Sequence, residues 1–297
     1  LDGCCHNPLG QRKISTMQLR TLFALVVMLV AQALARAQEF GLVDAAVGTT
    51  TVTTADGASS AVSLGQRILV GQTLQTQAGA ELHIATNDGG FLALRPNTLF
   101  KVLQYNIEKG DSGTVEMSLL KGALRSITGW IGKLNPKGYK VVTPTATVGI
   151  RGTDHETTVL EDVSGRDRPG TYDSVNEGST TLRTPQGETS VQAGQHAFAA
   201  RGAFQPPRIL AARPGFLANR RTLRLENRIH ARKQQLSAHV QRAIERHRAG
   251  QPPEHQPLTE AAQERHERAE ERREAAQERR DAAQQQPRRS HRGGLHR

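Results

Sequence analysis

The chain has 297 residues, enough for one or two domains and for a core of ordinary size. Its formal charge of +11 does not describe a uniformly basic domain, because residues 1–200 carry 17 basic and 17 acidic side chains while residues 201–297 carry 22 against 11. A neutral body followed by a basic tail is expected, and with both cysteines among the first five residues a disulfide-stapled body is excluded.

From Met17 the chain reads as a secretory signal. Arg20 supplies positive charge, Leu22 to Ala31 is an unbroken apolar run, and Ala35-Arg36-Ala37 is a small-x-small cleavage site, so that the mature chain begins at Gln38. The run is shorter than the about 20 apolar residues of a membrane-spanning helix, and no cysteine follows it to take a lipid anchor. Residues 1–16 read as an extension ahead of the true start at Met17. Their Cys4-Cys5-His6 triplet lacks the separated ligand pairs of a zinc site, and no metal or other cofactor is expected. The expected location is periplasmic or secreted.

Residues 41–200 are dense in turn signals: Asp56-Gly57, Asp88-Gly89-Gly90, Gly110-Asp111-Ser112-Gly113, Ser164-Gly165 and Pro185-Gln186-Gly187. Between them lie short β-type runs, at Thr49 to Thr54, Glu81 to Thr86, Phe91 to Leu94, Leu99 to Ile107, Thr114 to Leu120, Tyr139 to Val142, Glu156 to Leu160, Thr180 to Arg183 and Thr189 to Gln192. Alternation is clearest at Val115, Met117 and Leu119, and at Leu82 and Ile84 around His83. Period two with frequent turns and no amphipathic helix predicts an all-β body, a sandwich or short solenoid of antiparallel-type strands.

The most distinctive run of this body is Thr143, Pro144, Ala146, Gly149, Arg151, Gly152 and Thr153, a TP-x-A-x-x-G-x-RGT element. Gly41 to Val43, Asp56-Gly57, Leu64 to Gly71, Leu74 to Ala80 and Asp88-Gly89 precede it, and Val175-Asn176-Glu177-Gly178 and Ala193-Gly194-Gln195 follow. In this order the segments resemble the FecR domain of bacterial envelope sensor proteins. The resemblance implies an all-β fold and a domain outside the inner membrane, which receives a signal from an outer-membrane transporter and passes it to a cytoplasmic sigma-factor-controlling segment. The chain reads without that family's anti-sigma and transmembrane segments. The expected role is therefore an exported binding or sensing module that recognises an envelope protein or ligand.

Two readings of the motif stay open. Arg151 could clamp a carboxylate such as Asp154 or Glu177 across the sheet, or it could contact an anionic ligand on a glycine-lined edge. Trp130, the single tryptophan, is either a cap on the core or a candidate partner contact. No catalytic set is expected. The body has His83, His155 and His196 and no G-x-S-x-G elbow, and Asp154-His155-Glu156 on a strand would send its histidine to the face opposite its two acids.

Residues 201–213 read as a linker. Over 214–249 a helix is predicted, with Leu225, Ile229, Leu236, Val240 and Ile244 as a narrow apolar stripe, able to lie along the body, to self-associate or to rest on an anionic surface. A second helix is predicted over 259–286, rich in Ala, Glu, Arg and Gln, and the basic end 287–297 is expected to be disordered. The alternative function is envelope-structural, with the arginine-rich tail binding a polyanion, lipid phosphate or nucleic acid.

Overall fold

The computed structural model describes residues 38–251, apart from 108–112, 163–166, 203–204 and 219–222. The readings of the export signal, of the Cys4-Cys5-His6 triplet and of everything beyond residue 251 lie outside the described residues.

The strands are β1 (Glu39–Val47), β2 (Thr50–Thr53), β3 (Ser59–Ala61), β4 (Arg67–Leu69), β5 (Thr73–Thr76), β6 (Glu81–Thr86), β7 (Phe91–Leu94), β8 (Leu99–Asn106) and β9 (Thr114–Ile127), followed by a short helix α1 (Trp130–Leu134). Then come β10 (Tyr139–Val142), β11 (Thr147–Leu160), β12 (Gly170–Thr184), β13 (Gly187–Gln192), β14 (His196–Ala200), β15 (Arg208–Ile209), α2 (Gly215–Ala218) and α3 (Leu223–Arg248). The body is all β and the tail helical, as the patterning predicts. The stretch read as a linker adds β15 as an edge strand beside β14.

Three long strands organise the molecule. In β9, residues up to Lys121 pair with β8, and residues from Gly122 pair with β11. In β11 and β12 the pairing shifts register between Arg151 and Asp154. Each of these strands therefore serves two layers. The first layer runs β3-β2-β5-β8, then the first half of β9, β10, the first half of β11, the second half of β12, and β13. The second runs β4-β1-β6-β7, then the remaining halves of β9, β11 and β12, and finally β14 and β15. At the bends stand Gly122 and Gly178, with φ of +87° and +76°, angles that side chains with a Cβ rarely adopt.

One apolar cluster fills the space between the layers, with Val52, Leu74, Phe100, Val115, Met117 and Val141 from the first and Phe40, Val43, Leu82, Ile84, Leu92 and Leu124 from the second. Val115, Met117 and Leu119 are fully buried, as their alternation predicts. The chain is antiparallel almost throughout, but β10 lies parallel to β9, brought back by α1 and the 3-10 turn Pro136–Gly138.

The outer face of the second layer is covered by α3. Ile229 and Leu236 pack on Phe91, Ala93 and Ile127, while Val240 and Ile244 join the main cluster. Four members of the predicted stripe thus lie along the body; the side chain of Leu225 is outside the described set. Much of the covered face is charged. Arg95, with no exposed surface, reaches Glu81 at 3.0 Å, Glu156 at 3.2 Å and Glu226 of α3 at 2.5 Å. Arg125 grips Asp154 through two N–H groups at 2.9 Å and reaches the other oxygen of Glu226 at 2.5 Å. Arg232 pairs with Asp44, and Lys233 bonds both Asp154, at 2.9 Å, and Glu177, at 2.6 Å. Burial alone would raise the Asp154 carboxyl, but hydrogen bonds from Arg125, Lys233 and Asn176 outweigh it and hold Asp154 well below the usual carboxylate range.

Candidate functional site

The TP-x-A-x-x-G-x-RGT run divides its labour. Thr143 closes the turn between β10 and β11: its Oγ1 accepts the Ala146 N–H at 3.0 Å, and its own N–H donates to the Ala146 carbonyl at 2.9 Å. Pro144 sits exposed on that turn, and Ala146 enters the core. Gly152 takes a φ of +64° where β11 passes between the layers. The Thr153 backbone is clasped by Thr128, whose hydroxyl accepts the Thr153 N–H and donates to its carbonyl, both at 2.9 Å. These five residues shape the chain. Gly149 and Arg151 face outward.

What they face is a groove of about 300 Å³ on the outer surface of the first layer. Register makes it. Lys140 stands opposite Gly149, Gly149 opposite Thr181, and Thr147 opposite Arg183. The missing side chain at Gly149 leaves a trough between its neighbours, since a Cβ there would meet nothing nearer than the Thr181 carbonyl at 3.8 Å. Thr147 and Thr181 flank the trough, and the rim carries Lys137, Lys140, Arg151 and Arg183. Among the described residues, no acidic side chain lines it. Lys140 pairs with Glu116 at 2.9 Å at a half-buried position and Arg183 with Glu188 at 2.7 Å at an exposed one. Among the described residues, Lys137 and Arg151 form no ion pair.

The clamp expected of Arg151 is therefore supplied by other residues. Asp154 is held by Arg125 and Lys233, and Glu177 by Lys233. Arg151 is exposed, and Arg151→Glu is expected to change the melting temperature by less than about 2 °C, the range of surface substitutions that break no partner; a thermal melt checks this.

Trp130 is 4% exposed and stacks on His247 of α3, with ring centroids 5.9 Å apart. Its backbone N–H donates to the Asp88 carbonyl at 2.9 Å. In this structure its ring is a contact between α1 and α3, not an open surface for a partner. Asp154 and Glu156 point to the α3 side, bonded to Arg125 and Arg95, while His155 points inward to Asp173 at 2.9 Å. The three side chains do not converge, in keeping with strand geometry. Among the described residues, no cluster of His, Cys, Asp and Glu is placed to hold a metal ion, and no helix is long and apolar enough to cross a membrane.

Sequence reasoning singled out Gly149 and Arg151 but missed Lys137, Lys140, Thr147, Thr181 and Arg183. They come together only through the pairing of β10, β11 and β12. The signal available was the position of Gly149 within a β-type run, which marks a gap on a strand surface.

Fold and site together define an all-β domain with one helix-covered face and one open, basic face. Residues 72–179 match the family described as FecR protein, and the whole motif falls inside the match. No curated protein is significantly similar to the chain. Two crystal structures described as a candidate anti-sigma factor from Parabacteroides distasonis align with it, at 17% and 13% identity and TM-scores of 0.34 and 0.35. Each alignment covers 46% of this chain and 57% of the other, so the chain spans little more than half the length of these structures.

Proposed function

We propose that the chain is an exported, non-enzymatic sensing module of the bacterial envelope, which recognises a partner protein through the outer face of its first layer. The observation that carries this is the asymmetry of the two sheet faces. The second layer is covered by α3, whereas the first presents Gly149 and Arg151 of the FecR motif in an open groove with a basic rim. A groove without a convergent acid, base and nucleophile suits recognition better than chemistry.

A photo-crosslinking residue placed at Thr181, in the groove, tests this in the producing cell, with exposed Gln234 of α3 as the control position. A discrete protein adduct from Thr181, absent from Gln234 and lost with Arg151→Glu, is the expected result. Equal adducts from both positions, or none from Thr181, would sink the proposal. The concentration of the whole charge excess after residue 200 supports a second reading, in which the tail binds an envelope polyanion. Retention that ignores groove charge and disappears with added salt would favour it.

A further inference from the structure

We infer that the groove binds an extended acidic segment, with carboxylates on one face of a β-like strand spaced to meet Arg151 at one end and Arg183 at the other. The inference rests on the open face being a recognition surface, and it adds the chemistry of what is recognised.

Spacing carries the argument. Arg183 lies opposite Thr147, and Arg151 lies four residues further along the same strand. At roughly 3.3 Å per residue their backbone positions are about 13 Å apart along β11. Lys140, opposite Gly149, stands between them on the neighbouring strand, and Lys137 is on the turn beside it. A single phosphate or carboxylate can satisfy one end of such an array. An extended peptide repeats its same-face side chains every second residue, so acidic groups at positions i and i+4 reproduce about 13 Å with the same backbone rise.

Charge and shape agree. The four rim cations face two carboxylates, Glu116 and Glu188, which pair with Lys140 and Arg183, and the balance is two positive charges against a ligand with two negative ones. Arg151 can take a carboxylate with two parallel N–H groups, and Arg183, whose Nε–H and Nη2–H bond the exposed Glu188, can exchange that partner for the ligand's carboxylate. The trough over Gly149 leaves room for the peptide backbone, with the Thr147 and Thr181 hydroxyls beside it to bond its amides and carbonyls.

Fluorescence anisotropy of the full chain at low salt tests this with a labelled heptapeptide carrying aspartate at its second and sixth positions and serine or threonine elsewhere. The expected result is binding at least about tenfold tighter than that of an isomer with the aspartates adjacent, and about tenfold weaker binding by Arg151→Glu and by Arg183→Glu. Inorganic phosphate should not displace the peptide. Equal affinity for the two isomers, or displacement by phosphate, would show a site for a single oxyanion. Unchanged binding by both variants would place the interaction on the tail. Either outcome overturns the inference and leaves the crosslinking result to judge the recognition face on its own.

Discussion

Arg95→Met should be among the most damaging single changes in the molecule, with a loss of about 3–5 kcal/mol and a fall in melting temperature of roughly 6–20 °C for a body of this size. Arg95 is completely buried and meets three carboxylates, Glu81, Glu156 and Glu226. Methionine fills much of the same volume, so the damage is electrostatic: in a buried site Glu156 loses its guanidinium partner, while Glu81 keeps His83 and Glu226 keeps Arg125. Because a buried ion network is itself hardly more stable than apolar packing, replacing Glu81, Glu156 and Glu226 with leucine in the same chain should restore most of the loss. Failure of that rescue would show that Arg95 acts through shape.

The pH dependence reports on the Asp154 end of the network. In the native protein Asp154 is held below the ordinary range, so its contribution is present above the unfolded carboxylate value of about 4 and is lost as pH falls towards its folded value. Thermal melts between pH 3 and 7 read this trend on the scale where carboxylates titrate.

This network also marks the limit of what the sequence discloses. Strand runs whose two faces differ in polarity were legible: Val115 and Met117 alternate with half-buried polar residues, and Leu82 and Ile84 with Glu81 and His83, which are polar although buried. β1 was not. Every residue from Phe40 to Ala45 is buried, since the core lies on one side and α3 on the other, and a bulge between Val43 and Ala45 breaks the register. β11 and β12 were cut short for a different reason. Gly152 and Gly178 look like turn residues, and Val175-Asn176-Glu177-Gly178 reads as a turn, but they are bends inside continuous strands. Arg95 and Arg125 resemble ordinary strand-end polar residues, because their shared partner Glu226 stands 131 and 101 positions away in sequence. No local pattern carries that distance. The groove was half legible: the motif pointed to Gly149 and Arg151, while Lys140, Thr181 and Arg183 join them only across strand pairs.

Two glycines that a sequence treats alike should respond in opposite ways to the same substitution. Gly122→Val is expected to cost at least about 3 kcal/mol, since its left-handed backbone disfavours any Cβ and a branched one most, and overpacking adds to that. Gly122 has a φ of +87°, and a Cβ there would lie 2.5 Å from the Thr98 Cα and 2.6 Å from the Asn97 carbonyl, backbone atoms that cannot swing away. It is also the point at which β9 leaves β8 for β11, so relief by local movement would misalign both layers. Gly149→Val meets neither obstacle. Its φ is ordinary, its nearest contact would be 3.8 Å away, and valine suits a strand, so the melting temperature should hold or rise slightly. Yet valine would occupy the trough between Thr147 and Thr181, and binding of the spaced acidic peptide should fall by about tenfold or more through exclusion of its backbone. A folded Gly149→Val that still binds at native strength would move recognition off the trough and onto the rim cations alone, whereas a melting temperature unaffected by Gly122→Val would contradict the two-layer path of β9.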